Sequence, residues 1–129
     1  MKTRFRLYAL LASVSGLLAV AIGAFGAHGI GDPVAKRLIE TGAQYHFMHT
    51  VAAIASLAFW SWGATRARFA TPFFFGGIWL FSGSLYALAL GAPPAIGVIT
   101  PIGGLLFMIG WGLLAWSALQ VPDDKGASS

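Results

Sequence analysis

The chain has 129 residues, of which 57% are hydrophobic and only 9% charged, with a net charge of +4 and no cysteine. Soluble domains carry roughly 25% charged residues, so this composition excludes a soluble globular protein, and the missing cysteines exclude disulfides, thiolate catalysis and thiolate-held metal clusters. The Lys and Arg residues flank apolar segments, which marks them as determinants of membrane topology and not as a nucleic-acid surface.

Four stretches lack Asp, Glu, Lys and Arg altogether: about 7–27, 43–63, 72–90 and 96–119. Each has roughly the 17–25 residues that a helix needs to cross the hydrocarbon core, and a helix is required because an open strand leaves backbone groups unsatisfied in lipid. The expected fold is all-α: a four-helix transmembrane bundle forming one domain over 1–129. The first stretch also imitates a secretory signal, with Lys2, Arg4 and Arg6 ahead of it and Ala24-Phe25-Gly26-Ala27 at its end. It is longer than the usual core of about 7–15 residues, so it is read as a retained span.

After it, Gly31-Asp32-Pro33 offers an N-cap followed by proline at the first helical position. A short interfacial segment is expected at about 32–41, with Leu38 and Ile39 dipping inward and Lys36, Arg37 and Glu40 wet. A basic turn with Arg66 and Arg68 joins the second and third helices, an uncharged Gly91-Ala92-Pro93-Pro94-Ala95 joins the third and fourth, and 121–129 reads as a flexible polar tail. One side of the membrane receives Lys2, Arg4, Arg6, Arg66, Arg68 and Lys125, and the other only Lys36 and Arg37. This asymmetry predicts that both termini are cytoplasmic. Tyr8, Trp60, Trp62, Phe73, Phe74 and Trp116 fall near the same interface.

Small residues at helical spacing, such as Ala19, Gly23 and Ala27 or Gly83, Ala87 and Gly91, predict close helix packing, which in lipid replaces the hydrophobic drive. The polar residues cluster by depth. His28, Tyr45, His49, Ser82, Ser84, Tyr86 and Thr100 all map to the outer half, with His49 and Ser84 each about 9 Å below the boundary at ~1.5 Å per residue. They form a candidate polar pocket, or else a hydrogen-bond network that fixes helix register. His28 and His49 are expected to approach one another, with Tyr45 between them. His46 and His49, at i and i+3, share a helix face, and with His28 they make three imidazoles of the type that holds zinc or copper. No carboxylate or thiolate accompanies them, so neither a metal nor a cofactor is assigned. No catalytic motif is present: there is no G-x-S-x-G, H-E-x-x-H, Walker loop or carboxylate pair.

Gly23-Ala24-Phe25-Gly26-Ala27-His28-Gly29, Tyr45-x-x-x-His49-Thr50, Phe81-Ser82-Gly83-Ser84-Leu85-Tyr86, Thr100-Pro101-Ile102-Gly103-Gly104 and Gly110-Trp111, in this order, resemble the YgdD-like family of small four-helix membrane proteins. The resemblance spans roughly residues 5–119. It implies the same fold and a bacterial inner-membrane location, and it implies no reaction. The chain departs from the family pattern at His46, where Gln is usual, so His46 is not expected to be a shared ligand.

The leading functional expectation is therefore a non-enzymatic binding or accessory component, partnered by the lipid bilayer and by further copies of itself or a larger membrane assembly, without nucleic acid. The alternative is small-solute permeation through the outer polar pocket. A third reading makes it a membrane enzyme acting on a lipid or quinone, with His49 and Tyr86 as acid–base groups.

Overall fold

The computed structural model describes residues 2–123, so most of the polar tail, Lys125 included, lies outside the described residues. Four long helices account for nearly all of them: α1 (Lys2–Gly29), α2 (Pro33–Ser61), α3 (Ala67–Ala89) and α4 (Ile99–Ala118), the last preceded by a 3₁₀ turn at Pro94–Val98. Helices α1 and α3, and α4 with its lead-in turn, are each long and apolar enough to cross a bilayer.

The helix ends follow from local chemistry. The Asp32 carboxylate accepts from the Ala35 amide at 2.9 Å with Pro33 at the first helical position, which satisfies a donor that would otherwise be orphaned. Both α2 and α3 stop at a glycine in the left-handed region, Gly63 (φ 106°) and Gly91 (φ 99°). At each, two amides fold back onto the last turn: Ala64 to Phe59 and Gly63 to Trp60, then Ala92 to Ala87 and Gly91 to Leu88, all at 2.9–3.1 Å. This is the Schellman arrangement, which glycine adopts without a Cβ penalty.

The segment 32–41, expected to lie apart in the interface, is instead the first part of α2. Lys36, Arg37 and Glu40 end an apolar stretch but are good helix formers, so the backbone continues through them. This moves the start of the second helix ten residues earlier than the charge-free stretch suggests.

Helix α2 is the centre of the bundle. Eleven of its residues are buried, against three on α1. It packs α1 on one side and α3 and α4 on the other. The first turns of α1, the end of α4 and the α2–α3 turn share one end, here the basic end: Phe5 packs against Trp60 with centroids 5.7 Å apart and planes 59° to one another, Arg66 lies 4.2 Å over the Trp116 ring, and the Gln120 carboxamide accepts from the Arg66 amide at 2.7 Å. At this end Tyr8 of α1 reaches Phe75 of α3, at 5.9 Å between centroids.

Between α3 and α4 the approach is set by a break in helical regularity. Residues Ile78–Ser82 form a π turn within α3, and its widened backbone bulges onto Gly103 of α4. A Cβ at Gly103 would collide with the backbone of Leu80 and Phe81, which cannot swing aside as a side chain would. Gly103→Ala should therefore lower stability by about 1–3 kcal/mol, the usual cost of overpacking. Thermal unfolding in detergent checks this, and an unchanged midpoint would show that α3 and α4 do not meet this closely.

Candidate functional site

Besides the buried Ser56–Thr71 pair, which joins α2 to α3 at 2.7 Å, the polar side chains of the interior form three hydrogen-bonded groups. The first joins α2 to α4. The Trp111 indole N–H donates to His49 Nε2 at 3.1 Å, and His49 Nδ1 lies 2.8 Å from the Tyr45 carbonyl. Indole is a donor only and a carbonyl an acceptor only, so the proton of a neutral His49 sits on Nδ1. Its ring lies flat on Phe107, with centroids 3.5 Å apart and planes 8° from parallel. Both nitrogens and one ring face are thus taken, leaving His49 without a lone pair for a metal or substrate.

A second group ties α3 to its neighbours. Ser82 donates to the Gly42 carbonyl of α2 at 2.7 Å. Ser84 donates to the Phe81 carbonyl at 2.8 Å, so the 2.5 Å contact between Ser84 and Thr100 has the Thr100 hydroxyl as donor. Ser82 and Ser84 are buried, and their protons are committed to the backbone.

The third group spans α1, α2 and α3. Tyr86 Oη is 3.0 Å from His46 Nδ1, His46 Nε2 is 2.9 Å from Ser15 Oγ, and Ser15 Oγ is 2.7 Å from Thr50 Oγ1. Thr50 Oγ1 in turn donates to the His46 carbonyl at 2.8 Å. Counting protons gives the chain one direction. The single Thr50 proton points to a carbonyl, so Ser15 must donate to Thr50. Ser15 then has no second proton, so His46 Nε2 must donate to it, and in a neutral imidazole Nδ1 must accept from the Tyr86 hydroxyl. His46 and His49, one turn apart, therefore hold opposite tautomers.

Ser15, His46 and Tyr86 of this group floor a cleft of about 400 Å³ between α1 and α3. Helix α1 packs along α2 and makes few close approaches to α3. The walls of the cleft are Leu11, Val14 and Leu18 of α1 with Phe75, Ile78 and Trp79 of α3. Leu18 and Trp79 are 50% and 79% exposed, so the cleft opens sideways, along the face that lipid covers. Two wall residues, Ile78 and Trp79, belong to the π turn, a feature frequent at functional sites.

The seven residues expected to form one pocket are thus distributed. Tyr86 alone faces this cleft. His49, Ser82, Ser84 and Thr100 lock helices together, and the Tyr45 ring packs on Phe81 at 4.7 Å between centroids. His28 is exposed at the end of α1 and does not approach His49. Gly16 faces Thr50, Gly23 faces Ala43 and Gly26 faces Ile39, so residues of α1 and α2 whose numbers sum to about 66 are level. His28 lies beside Leu38, eleven residues or ~16 Å along α2 from His49. The earlier start of α2 is the cause. His46 and His49 also diverge, one toward α1 and α3, the other toward α4, and among the described residues no three His, Asp or Glu side chains converge. The expected pocket left out Ser15, His46 and Thr50, with His46 weighed only as a metal ligand. The available signals were a serine midway along an otherwise apolar helix and the i, i+4 spacing of His46 and Thr50.

Residues 22–104 match the family model described as "Protein of unknown function (DUF423)". The chain belongs to this family. A UPF0382 membrane protein of Haemophilus influenzae is 45% identical over 88% of this chain and 94% of its own length. The UPF0382 membrane protein YwdK of Bacillus subtilis is 37% identical over 89% and 98%, and the UPF0382 inner membrane protein YgdD of Escherichia coli K12 is 37% identical over 99% and 98%. No solved structure matches. This DUF423 protein is accordingly an inner-membrane protein with several apolar helices, and the relatives' names carry no enzymatic activity.

The His49–Trp111 pair is a measurable helix–helix tie. A double-mutant cycle with His49→Phe, which keeps the ring on Phe107, and Trp111→Phe should give a coupling of about 0.6 kcal/mol and at most ~1.7 kcal/mol. Additive effects of the two substitutions would show that the indole does not hold α4 to α2.

Proposed function

We propose that this DUF423 protein is a non-enzymatic binding protein of the inner membrane, crossing it four times with both termini cytoplasmic. Its working part is the sideways cleft between α1 and α3, which receives a small membrane-soluble molecule directly from the lipid phase. The observation that carries this reading is the cleft itself: apolar walls open toward lipid over a polar floor of buried His46 with half-buried Tyr86 and Ser15. Polar groups within a membrane are costly and are found where they face a cavity or one another, and a volume of this size suits a drug-sized ligand. The six-to-two distribution of Lys and Arg supports the orientation, and the 29 residues of α2 support a fourth crossing. Permeation through the bundle has less support, because buried Phe74 and Phe107, with His49 clamped between α2 and α4, fill the space between those helices.

A photoreactive phenylalanine analogue in place of Trp79, irradiated in native membranes, should form adducts with small membrane-soluble molecules. Adducts confined to another protein would contradict the reading and favour an accessory subunit. In the same preparation a cysteine replacing Gly31, free of background because the chain has no cysteine, should react with a membrane-impermeant maleimide from outside. Labelling only after permeabilisation would reverse the orientation.

A further inference from the structure

We propose that the cleft selects a neutral, hydroxyl-bearing lipophile, a lipid alcohol or phenol, and discriminates against carbonyl and ether analogues of the same shape; this rests on the binding reading above. The ground is the direction of the hydrogen-bond chain. From Tyr86 through His46 and Ser15 to Thr50, each proton is already donated to the next member, and the last reaches the His46 carbonyl. No free donor remains at the floor. What remains are lone pairs: Tyr86 Oη donates once and accepts from no described group, and Ser15 Oγ accepts once from His46 and has a second lone pair. A floor that presents acceptors only is complemented by a ligand that brings a proton to donate. A ketone, aldehyde or ether oxygen placed there meets lone pairs with lone pairs.

The rest of the lining narrows the class. No Lys, Arg, Asp or Glu lines the cleft, so a phosphate or ammonium headgroup would be buried without a counter-charge. His46 lies six residues beyond Glu40, the last charge on α2, or ~9 Å along the helix. The hydroxyl must therefore enter below the headgroup level, which suits a molecule whose polar part is a single uncharged group. The walls of Leu11, Val14, Leu18, Phe75 and Ile78 take its hydrocarbon portion. The floor is also cooperative: a ligand donating to Tyr86 Oη polarises its O–H toward His46, and so along the chain.

A matched series separates this inference from the reading beneath it. The protein, reconstituted in phosphatidylcholine nanodiscs, is titrated with a long-chain isoprenoid alcohol, its methyl ether and its aldehyde, and bound probe is measured by mass spectrometry after rapid separation. A blocked variant, Gly83→Phe, serves as control: Gly83 lines the cleft, a Cβ there meets no atom closer than the Ile78 carbonyl oxygen at 4.0 Å, and an unfolding midpoint in detergent equal to the parent's shows that the variant is folded. The alcohol should bind about tenfold more tightly than either analogue, one hydrogen bond's difference, and Gly83→Phe should abolish the binding of all three. Equal affinities that Gly83→Phe still removes would overturn the selectivity and leave the cleft a binding site. Preference for the aldehyde would overturn it too, by showing the chain running the other way with Tyr86 as a free donor. Binding unaffected by Gly83→Phe would overturn the cleft reading itself.

Discussion

The structure depends on keeping the polar face of α2 out of lipid. This helix carries His46, His49, Thr50 and Ser56, all buried, and none of them tolerates the hydrocarbon core unpaired. Every neighbouring helix is positioned by answering one of these groups. Helix α1 brings Ser15 to His46 and Thr50, α3 brings Tyr86 to His46 and Thr71 to Ser56, and α4 brings Trp111 to His49. Apolar packing alone would not single out one arrangement, since lipid chains solvate Leu and Phe about as well as another helix does.

The two sides of α2 answer the demand differently. Toward α4 the polar groups are enclosed: His49 is bonded at both nitrogens and stacked on Phe107, and the π turn of α3 is pressed against Gly103. Toward α1 the hydrogen bonds are made, but the helix that makes them follows α2 alone, so the space beside them stays open to lipid. The same chemistry gives a locked interface on one side and an accessible floor on the other. That difference separates a structural histidine from one placed to meet a ligand.

Much of the fold was legible in the residues. The four charge-free stretches located the helices, Asp32-Pro33 marked a helix start, and Gly63 and Gly91 sit where two helices end. The register between α1 and α2 was hidden, because Lys36, Arg37 and Glu40 interrupt the apolar pattern without interrupting the helix, and that error set His28 only about 9 Å in depth from His49. The i, i+3 spacing put His46 and His49 on one face, but which neighbour each would meet depends on where α1 and α4 lie around α2, a tertiary fact. The π turn has no sequence signature. The division of the polar residues into separate groups required the helices in place.

The account turns on the direction of the hydrogen-bond chain, and nitrogen NMR of the two imidazoles in nanodiscs reads it without a ligand. With ¹⁵N-labelled histidine, assigned by His46→Gln and His49→Gln, His46 should carry its proton on Nε2 and His49 on Nδ1. A proton on Nδ1 of His46 would contradict it: Tyr86 would then be a free donor, and the cleft would no longer be built to accept a hydroxyl.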